Sequence, residues 1–290
     1  MSAHEEVKSR RNVVPTTGSS TERETRGARR KRETRDKLLA AAFRLIAERG
    51  VDAVAINDIT EAADVGFGSF YNYFPSKEAI HEAVFSAVFD EFGETLERLT
   101  KDSDDPAEII AVRVRHTIVR AKREPLWGRF LLREGFTAQA ILRGLSARLW
   151  RDIQTGVAQK RFDVADPLMA HLAAAGTVMS TVAAEAAWAE GSAAPLGRRG
   201  LGAKNLAERA AAAILRGLGV PPDQATEIAK RPLPGLGLEP TARRRDALLS
   251  AFSAPWRFNY SCRRLRRRDR DADARPSPGA SSGAPPAGRA

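Results

Sequence analysis

The sequence predicts an all-α protein: an N-terminal three-helix domain with a helix-turn-helix, followed by a larger C-terminal helical domain. Three observations carry that prediction. Apolar residues recur at three- and four-residue steps through most of the chain from about residue 34 to 230, the period of a helix with one buried face. Proline follows an acidic residue or another proline at Asp105-Pro106, Glu124-Pro125, Asp166-Pro167 and Pro221-Pro222. Each pair marks a helix start, because proline in the first helical position has no N–H to lose. Nowhere does the period of two expected of a half-buried strand emerge.

Taken in order, residues 1–31 are polar, with Pro15, Gly18 and Gly27 and no apolar period, and predict a disordered arm. Its end runs into the basic "RGARRKRETR" of 26–35. There Arg29 and Arg30 either reach a phosphate or minor groove, as basic arms do, or belong to a solvated charge run. From Thr34 a helix carries Leu38, Leu39, Ala42, Phe43 and Ile46 on one side and stops at Gly50. A short helix over 56–63 places Ile56, Ile59 and Ala63 on one face, and "DVGFGSFYNYF" supplies a third. Pro75 breaks the chain before a long helix starting at Ser76, with Ile80, Val84 and Val88 in line and Phe85, Phe89 and Phe92 beside them. Further helices are expected at 106–123, 125–134, 138–160, 167–189, 203–218 and 222–230. Beyond "RPLPGLGLEP" the composition turns to Arg clusters and then Pro, Ser, Gly and Ala, so 236–290 is expected to be a disordered tail.

At 290 residues the chain is long enough for about two domains. Its formal charge of +11 suggests a polyanionic partner, but the distribution qualifies this. Residues 1–36 carry ten Lys/Arg against six Asp/Glu and residues 241–290 twelve Arg against four Asp, leaving −1 for residues 37–240. A nucleic-acid partner therefore needs local chemistry to support it. The single cysteine, Cys262, allows neither an intrachain disulfide nor a Cys-based zinc site and fits a reducing compartment. The N-terminus has no apolar run of signal type. The weakly polar stretch 172–189 is mostly Ala and Gly and contains Glu185, which suits a packed helix better than a membrane span. A cytoplasmic protein without a membrane partner is expected.

Local chemistry is concentrated in "DVGFGSFYNYFPSKEAI", residues 64–80. Two short helices around an Ala-Asp-Val turn, over 55–74, form a helix-turn-helix candidate whose second helix would offer its first turns to the major groove. Phe70 and Phe74, four residues apart, face inward, with Val65 able to staple onto Phe70. Tyr71 and Tyr73 then lie off that face with hydroxyls free for phosphate oxygens. Gly68 removes bulk where a helix must approach a backbone closely. Lys77 in the first turn of the next helix opposes the macrodipole by about 0.3–1 kcal/mol, unless a phosphate sits beside it.

The stretch "GVDAVAINDITEAADVGFGSFYNYFPSKEAI" resembles the DNA-binding domain of TetR-type transcriptional regulators, over about residues 32–92. The resemblance implies that Phe67, Gly68, Ser69 and Tyr71 meet bases, with Tyr73, Lys77 and Asn72 on phosphates and Asn57 within reach of a base edge. Asn57 has the alternative role of a helix cap, and Phe67 could pack on the scaffold rather than meet a thymine methyl. Two positions depart from the family: Ala55 stands where a capping threonine is usual, leaving Asp58 or Asn57 to cap, and Gly66 replaces a serine. The resemblance further implies that residues 93–235 form a domain for dimerisation and effector binding.

In that domain His116, Trp127, Phe130, Phe136, Trp150 and His171 are candidates for lining an apolar effector cavity, since all-α ligand sites form between helices. Their alternative role is core packing. The dimer seam is expected from the last long helices through Leu172, Met179, Leu206, Ala210, Ala213 and Ile214, where small residues allow a close four-helix contact. The four histidines show no metal spacing, and no dinucleotide loop, Walker loop, G-x-S-x-G or H-E-x-x-H is present, so neither an enzyme nor a cofactor is expected. The function implied is a homodimeric, ligand-responsive repressor of a pseudo-palindromic DNA operator, released by a small, mostly apolar effector. The alternative is a constitutive DNA-binding protein or an activator without effector response.

Overall fold

The computed structural model describes residues 25–198 and 202–235, and every regular element among them is helical. Most of the predicted arm, 1–24, and the predicted tail, 236–290, lie outside the described residues.

Helix α1 (Arg26–Arg49) opens on Thr25, whose side chain accepts the Ala28 N–H at 3.2 Å. Its first turns occupy residues that the sequence assigns to the arm. The cap and an exposed Arg29–Glu33 pair at 3.4 Å support helix there, as i,i+4 pairs do. The predicted stripe Leu38, Leu39, Ala42, Phe43 and Ile46 is buried. Gly50 ends the helix at φ 84, a conformation suited to glycine.

Helix α2 (Ile56–Ala63) starts at Ala55, whose N–H donates to Asp58 Oδ2 at 2.9 Å. The aspartate thus supplies half of a capping box in place of the missing threonine. Asp64 turns the chain at φ 54, which Asp tolerates better than most residues. Helix α3 (Phe67–Phe70) follows, and Ser76 caps α4 (Lys77–Phe85) by accepting the Ala79 N–H at 3.2 Å. Helix α4 continues through a π-helical turn, Ser86–Asp90, into α5 (Glu91–Leu99). The linking helix therefore crosses the predicted domain boundary at 92/93 without a break.

The second domain contains α6 (Pro106–Arg123), α7 (Pro125–Glu134), α8 (Ala138–Leu142), α9 (Gly144–Ala158), α10 (Pro167–Ala189), α11 (Ala194–Arg198), α12 (Leu206–Gly217) and α13 (Pro222–Lys230). Proline starts α6, α7, α10 and α13 as the sequence predicts, and Asp105 and Asp166 cap α6 and α10 with their side chains. Helix α6 is central, packing against α7, α9, α10, α12 and α13.

The predicted helix 138–160 is broken at Gly144, which takes φ 69. A side chain there would sit 3.3 Å from Phe89 Cβ, so the break lets α8 fold over the linking helix. Helix α10 is long and apolar enough to cross a membrane by length and composition, but it packs here against α6, α7, α9 and α12. Its buried Glu185 is paired with Lys122 at 3.0 Å.

Aromatic contacts join the two domains. Phe43 of α1 meets Phe130 of α7 at 5.2 Å, Phe130 meets Phe89 at 5.4 Å, and Phe92 meets Trp127 at 5.2 Å. Such pairs contribute about 0.5–1.5 kcal/mol each beyond their burial. Arg120 lies over both Phe92 and Trp127 at 4.6 and 4.8 Å from their ring centres, adding a cation–π contact.

Candidate nucleic-acid interface and effector cavity

The interface is built on two buried phenylalanines. Phe70 and Phe74 are buried and 5.9 Å apart, anchoring the α3 segment to the domain core. That anchoring turns the intervening residues outward. Phe67 is 50% and Tyr71 51% exposed, with rings edge-to-face at 5.8 Å. Such exposed large aromatics in a well-packed domain point to a partner surface. Gly68, Ser69 and Asn72 are exposed beside them, as is Asn57 on α2.

Tyr73 is half-buried and packs against the core cluster, and Lys77 is half-buried with Nζ 3.5 Å from the Asp52 carbonyl. Arg29 and Arg30 stand on the exposed first turns of α1 rather than on an unstructured arm. Ser69 N–H donates to Gly66 O at 2.8 Å. No side chain caps α3, which follows from glycine standing at position 66.

A cavity of about 90 Å³ lies in the second domain under the linking helix. Phe85 and Phe89, Leu131 of α7, Leu149 of α9 and Met179 of α10 form apolar walls. Arg113 and Asp152 provide a polar corner, and Ser146 adds a hydroxyl. Arg113 Nη1 donates to both Asp152 oxygens at 2.8 and 2.7 Å. Burial pushes the Asp152 carboxyl above its ordinary value, against the opposing pull of Arg113.

None of the six residues proposed from sequence for the cavity lines it. Trp127 and Phe130 are consumed by the interdomain aromatic cluster. His116 is buried on α6 but does not line the cavity. Burial lowers its pKa. His171 is a layer behind the wall: its Nε2 lies 3.1 Å from Ser146 Oγ, Trp150 covers it edge-on at 5.5 Å, and burial lowers its pKa. Phe136 is 60% exposed. Arg113 and Asp152 were missed because they are on separate helices, 39 residues apart, with no spacing signal. Phe85 and Phe89 were legible only as an apolar i,i+4 pair.

The proposed seam residues divide in the same way. Met179, Ala210 and Ile214 are buried inside the protomer, and Met179 forms part of the cavity wall. They are therefore not available to a second copy. Leu172 and Ala213 are exposed and Leu206 is half-buried. Leu168, Met169, Leu172 and Ala173 are exposed along α10, and beyond them a Cβ on Gly176 would meet nothing within 4 Å. Among the described residues no cluster of His, Cys, Asp and Glu could hold a metal ion.

Comparison with known proteins finds two family matches along the chain. Residues 38–84 match the family described as bacterial regulatory proteins, tetR family, and residues 105–231 match the tetracyclin repressor-like C-terminal domain. The HTH-type transcriptional repressor DhaR of Mycobacterium sp. (strain GP1) is 38% identical over 72 residues, 25% of this chain and 36% of DhaR. The repressor KstR2 of Rhodococcus jostii (strain RHA1) is 35% identical over 79 residues, 27% of this chain and 39% of KstR2. The chain thus spans little more than a third of the length of these curated relatives. A solved structure, RolR in complex with the ligand resorcinol, is 34% identical with a TM-score of 0.53, covering 72% of this chain and all of that one.

Proposed function

The chain belongs to the tetR family of bacterial regulatory proteins, and from that premise we propose that it is a DNA-binding transcriptional repressor controlled by a small effector. The observation that carries this reading is the pairing of an outward aromatic and polar face on α2–α3 with an apolar-walled cavity in the second domain. Phe67, Gly68, Ser69 and Tyr71 meet base edges, Asn57 supports them from α2, and Asn72, Tyr73 and Lys77 hold phosphates. Arg29 and Arg30 extend the phosphate contacts along α1.

The working form is a cytoplasmic, non-enzymatic homodimer. Two recognition helices enter successive major grooves about 34–36 Å apart on a pseudo-palindrome. The seam runs along α10 through Leu168, Met169, Leu172 and Gly176, with Ala213 of α12 at its side. The effector is a neutral, single-ring phenol of the resorcinol kind. A cavity of about 90 Å³ is smaller than the roughly 150 Å³ that accommodates a benzene ring, so it takes nothing larger than one ring and widens on binding it. The charges at its polar corner are already matched, so the corner favours a hydroxyl donor over an ionised ligand. An effector that prefers a dimer with wider-spaced helices shifts the population away from DNA.

Selection from a random duplex pool, followed by footprinting with and without resorcinol, tests the reading. It expects protection of an inverted repeat that resorcinol relieves. Protection indifferent to phenols would favour the constitutive alternative, and no selected duplex at all would end the regulator reading.

A further inference from the structure

We propose that Ser146, positioned by His171, is a hydrogen-bond donor of the effector cavity, and that the effector therefore carries two separated oxygens, one donating to Asp152 and one accepting from Ser146. This rests on the reading of the chain as an effector-controlled regulator.

The polar residues lining the cavity are Arg113, Thr117, Ser146, Arg148 and Asp152. Most of them are engaged within the protein. Thr117 donates its hydroxyl to the Arg113 carbonyl at 2.8 Å, and the Arg113 guanidinium is spread between Asp152 and Thr100. Arg148 donates through Nε to Glu97 Oε1 and through Nη1 to the Gly144 carbonyl, both at 3.1 Å. Ser146 differs. Thr155, on the same helix, turns its hydroxyl back to the Arg151 carbonyl at 2.9 Å. Ser146, in the first turn of α9, makes no such bond, and its one hydrogen-bond partner among the described residues is His171 Nε2 at 3.1 Å.

His171 decides which way that bond runs. The ring is 3% exposed, and Trp150, one turn after Ser146, covers it edge-on at 5.5 Å. Its Nδ1 is buried with no protein partner. Burial disfavours the charged ring, and a neutral imidazole has one proton for its two nitrogens. On Nδ1 that proton would make a buried N–H with no acceptor, which folded proteins rarely tolerate. The proton therefore sits on Nε2 and is donated to Ser146 Oγ. The serine's own O–H is left over, on a residue of the cavity wall.

The place of that O–H sets the ligand. Ser146 and Asp152 are six residues apart on α9, a rise of about 9 Å. Two hydrogen bonds of about 2.8 Å each, made to one oxygen, do not span it. A ring with a single hydroxyl therefore satisfies one end of the cavity and leaves the polar group at the other end unpaired. Sites built to pair a hydroxyl discriminate against analogues that lack it.

The experiment is calorimetry on the full chain with two probes, resorcinol and phenol. The unmodified protein should prefer resorcinol by at least about tenfold in Kd. Ser146→Ala should cut that preference below about threefold, with the loss falling on resorcinol rather than on phenol. His171→Leu should reduce the preference at least about threefold, whereas His171→Gln, which keeps an N–H near the Nε2 position, should hold it within about twofold. A merely structural role would weaken both probes alike and leave their ratio unchanged. Equal affinity for the two probes in the unmodified protein, or a ratio indifferent to Ser146→Ala, overturns the proposal.

A second measurement needs neither effector nor a buried substitution. Long-range nitrogen–proton NMR of the histidine-labelled protein should show His171, identified by the signal lost in His171→Gln, as the neutral tautomer protonated on Nε2. Protonation on Nδ1 would turn Ser146 into the donor of the shared bond and overturn the proposal. Both probes bound without preference would end this inference and leave the effector reading standing. If neither probe bound, the phenol class itself would fall, and the two-oxygen requirement with it.

Discussion

Arg113 of α6 and Asp152 of α9 meet at the polar corner of the cavity, with one guanidinium nitrogen shared between both carboxylate oxygens at 2.8 and 2.7 Å. Thr100 Oγ1 accepts from the other side of the guanidinium, from Nε at 3.2 Å and Nη2 at 2.9 Å. The arginine is thereby fixed, and the carboxylate keeps lone pairs free for a donor from the cavity.

Asp152→Asn should keep the shape of this corner while weakening it as an acceptor. The expected result by calorimetry is loss of resorcinol affinity by more than about tenfold, since hydrogen bonds to charged groups contribute about 1.5–3 kcal/mol. Melting temperature should also fall, because Arg113 loses the partner of a largely buried ion pair, and such losses are costly. Unchanged resorcinol binding would remove Asp152 from the effector site.

Lys77→Ala should weaken operator binding and flatten its salt dependence by about one phosphate per subunit. Its one hydrogen bond here is a long one of 3.5 Å to the Asp52 carbonyl, so thermal stability should change little. Tyr73→Phe should also weaken binding, with its half-buried ring retaining the packing. A salt slope identical to that of the unmodified protein would take Lys77 off the phosphate list.

Gly176→Arg should give a folded, helical monomer. A Cβ at position 176 would meet nothing within 4 Å in the protomer, so the fold should tolerate the substitution, yet it places a charge in the proposed α10 seam. Sedimentation should show half the mass, and operator protection should be lost. Ala213→Arg provides a comparison: Ala213 is exposed between the exposed Arg209 and Arg216, and its effect should be smaller. A Gly176→Arg protein that stays dimeric would move the seam off α10.

Asp105→Ala should lower stability by about 1–2 kcal/mol through loss of an N-cap. Asp105 caps α6 by accepting the Ala107 N–H at 2.9 Å and holds Arg161 Nε at 2.8 Å. Burial would raise the Asp105 carboxyl, but the hydrogen bonds from Arg161 and Ala107 outweigh it and hold the carboxyl below its ordinary value. A depressed carboxyl stabilises the fold above its unfolded pKa and loses that contribution as pH falls through the folded value. The gap in melting temperature between the two proteins should therefore persist from pH 7 down to about pH 4 and narrow below it. A gap independent of pH would assign Asp105 a purely steric role.

The sequence by itself determined what depends on neighbours within a turn or two. Prolines after acidic residues placed the starts of α6, α7 and α10, because helix starts obey local hydrogen-bond rules. Phe70 and Phe74 were legible as inward-facing because four residues make a helical repeat, and the aromatic segment between them was thereby turned outward. Asp58 was one of two candidates to replace the missing cap at Ala55, and its hydrogen bond decides for it.

Only the tertiary structure decided which apolar stripe meets which. The stripes containing Met179 and Ile214 look the same whether they face a cavity, a core or a second copy, and packing within the protomer had already buried both. Trp127 and Phe130 went to the junction of the two domains because Phe43, Phe89 and Phe92 were there to receive them. Arg113 found Asp152 across 39 residues of chain. A side chain's periodicity records that it is buried, but its partner is set by helices whose approach is fixed only when the whole core packs.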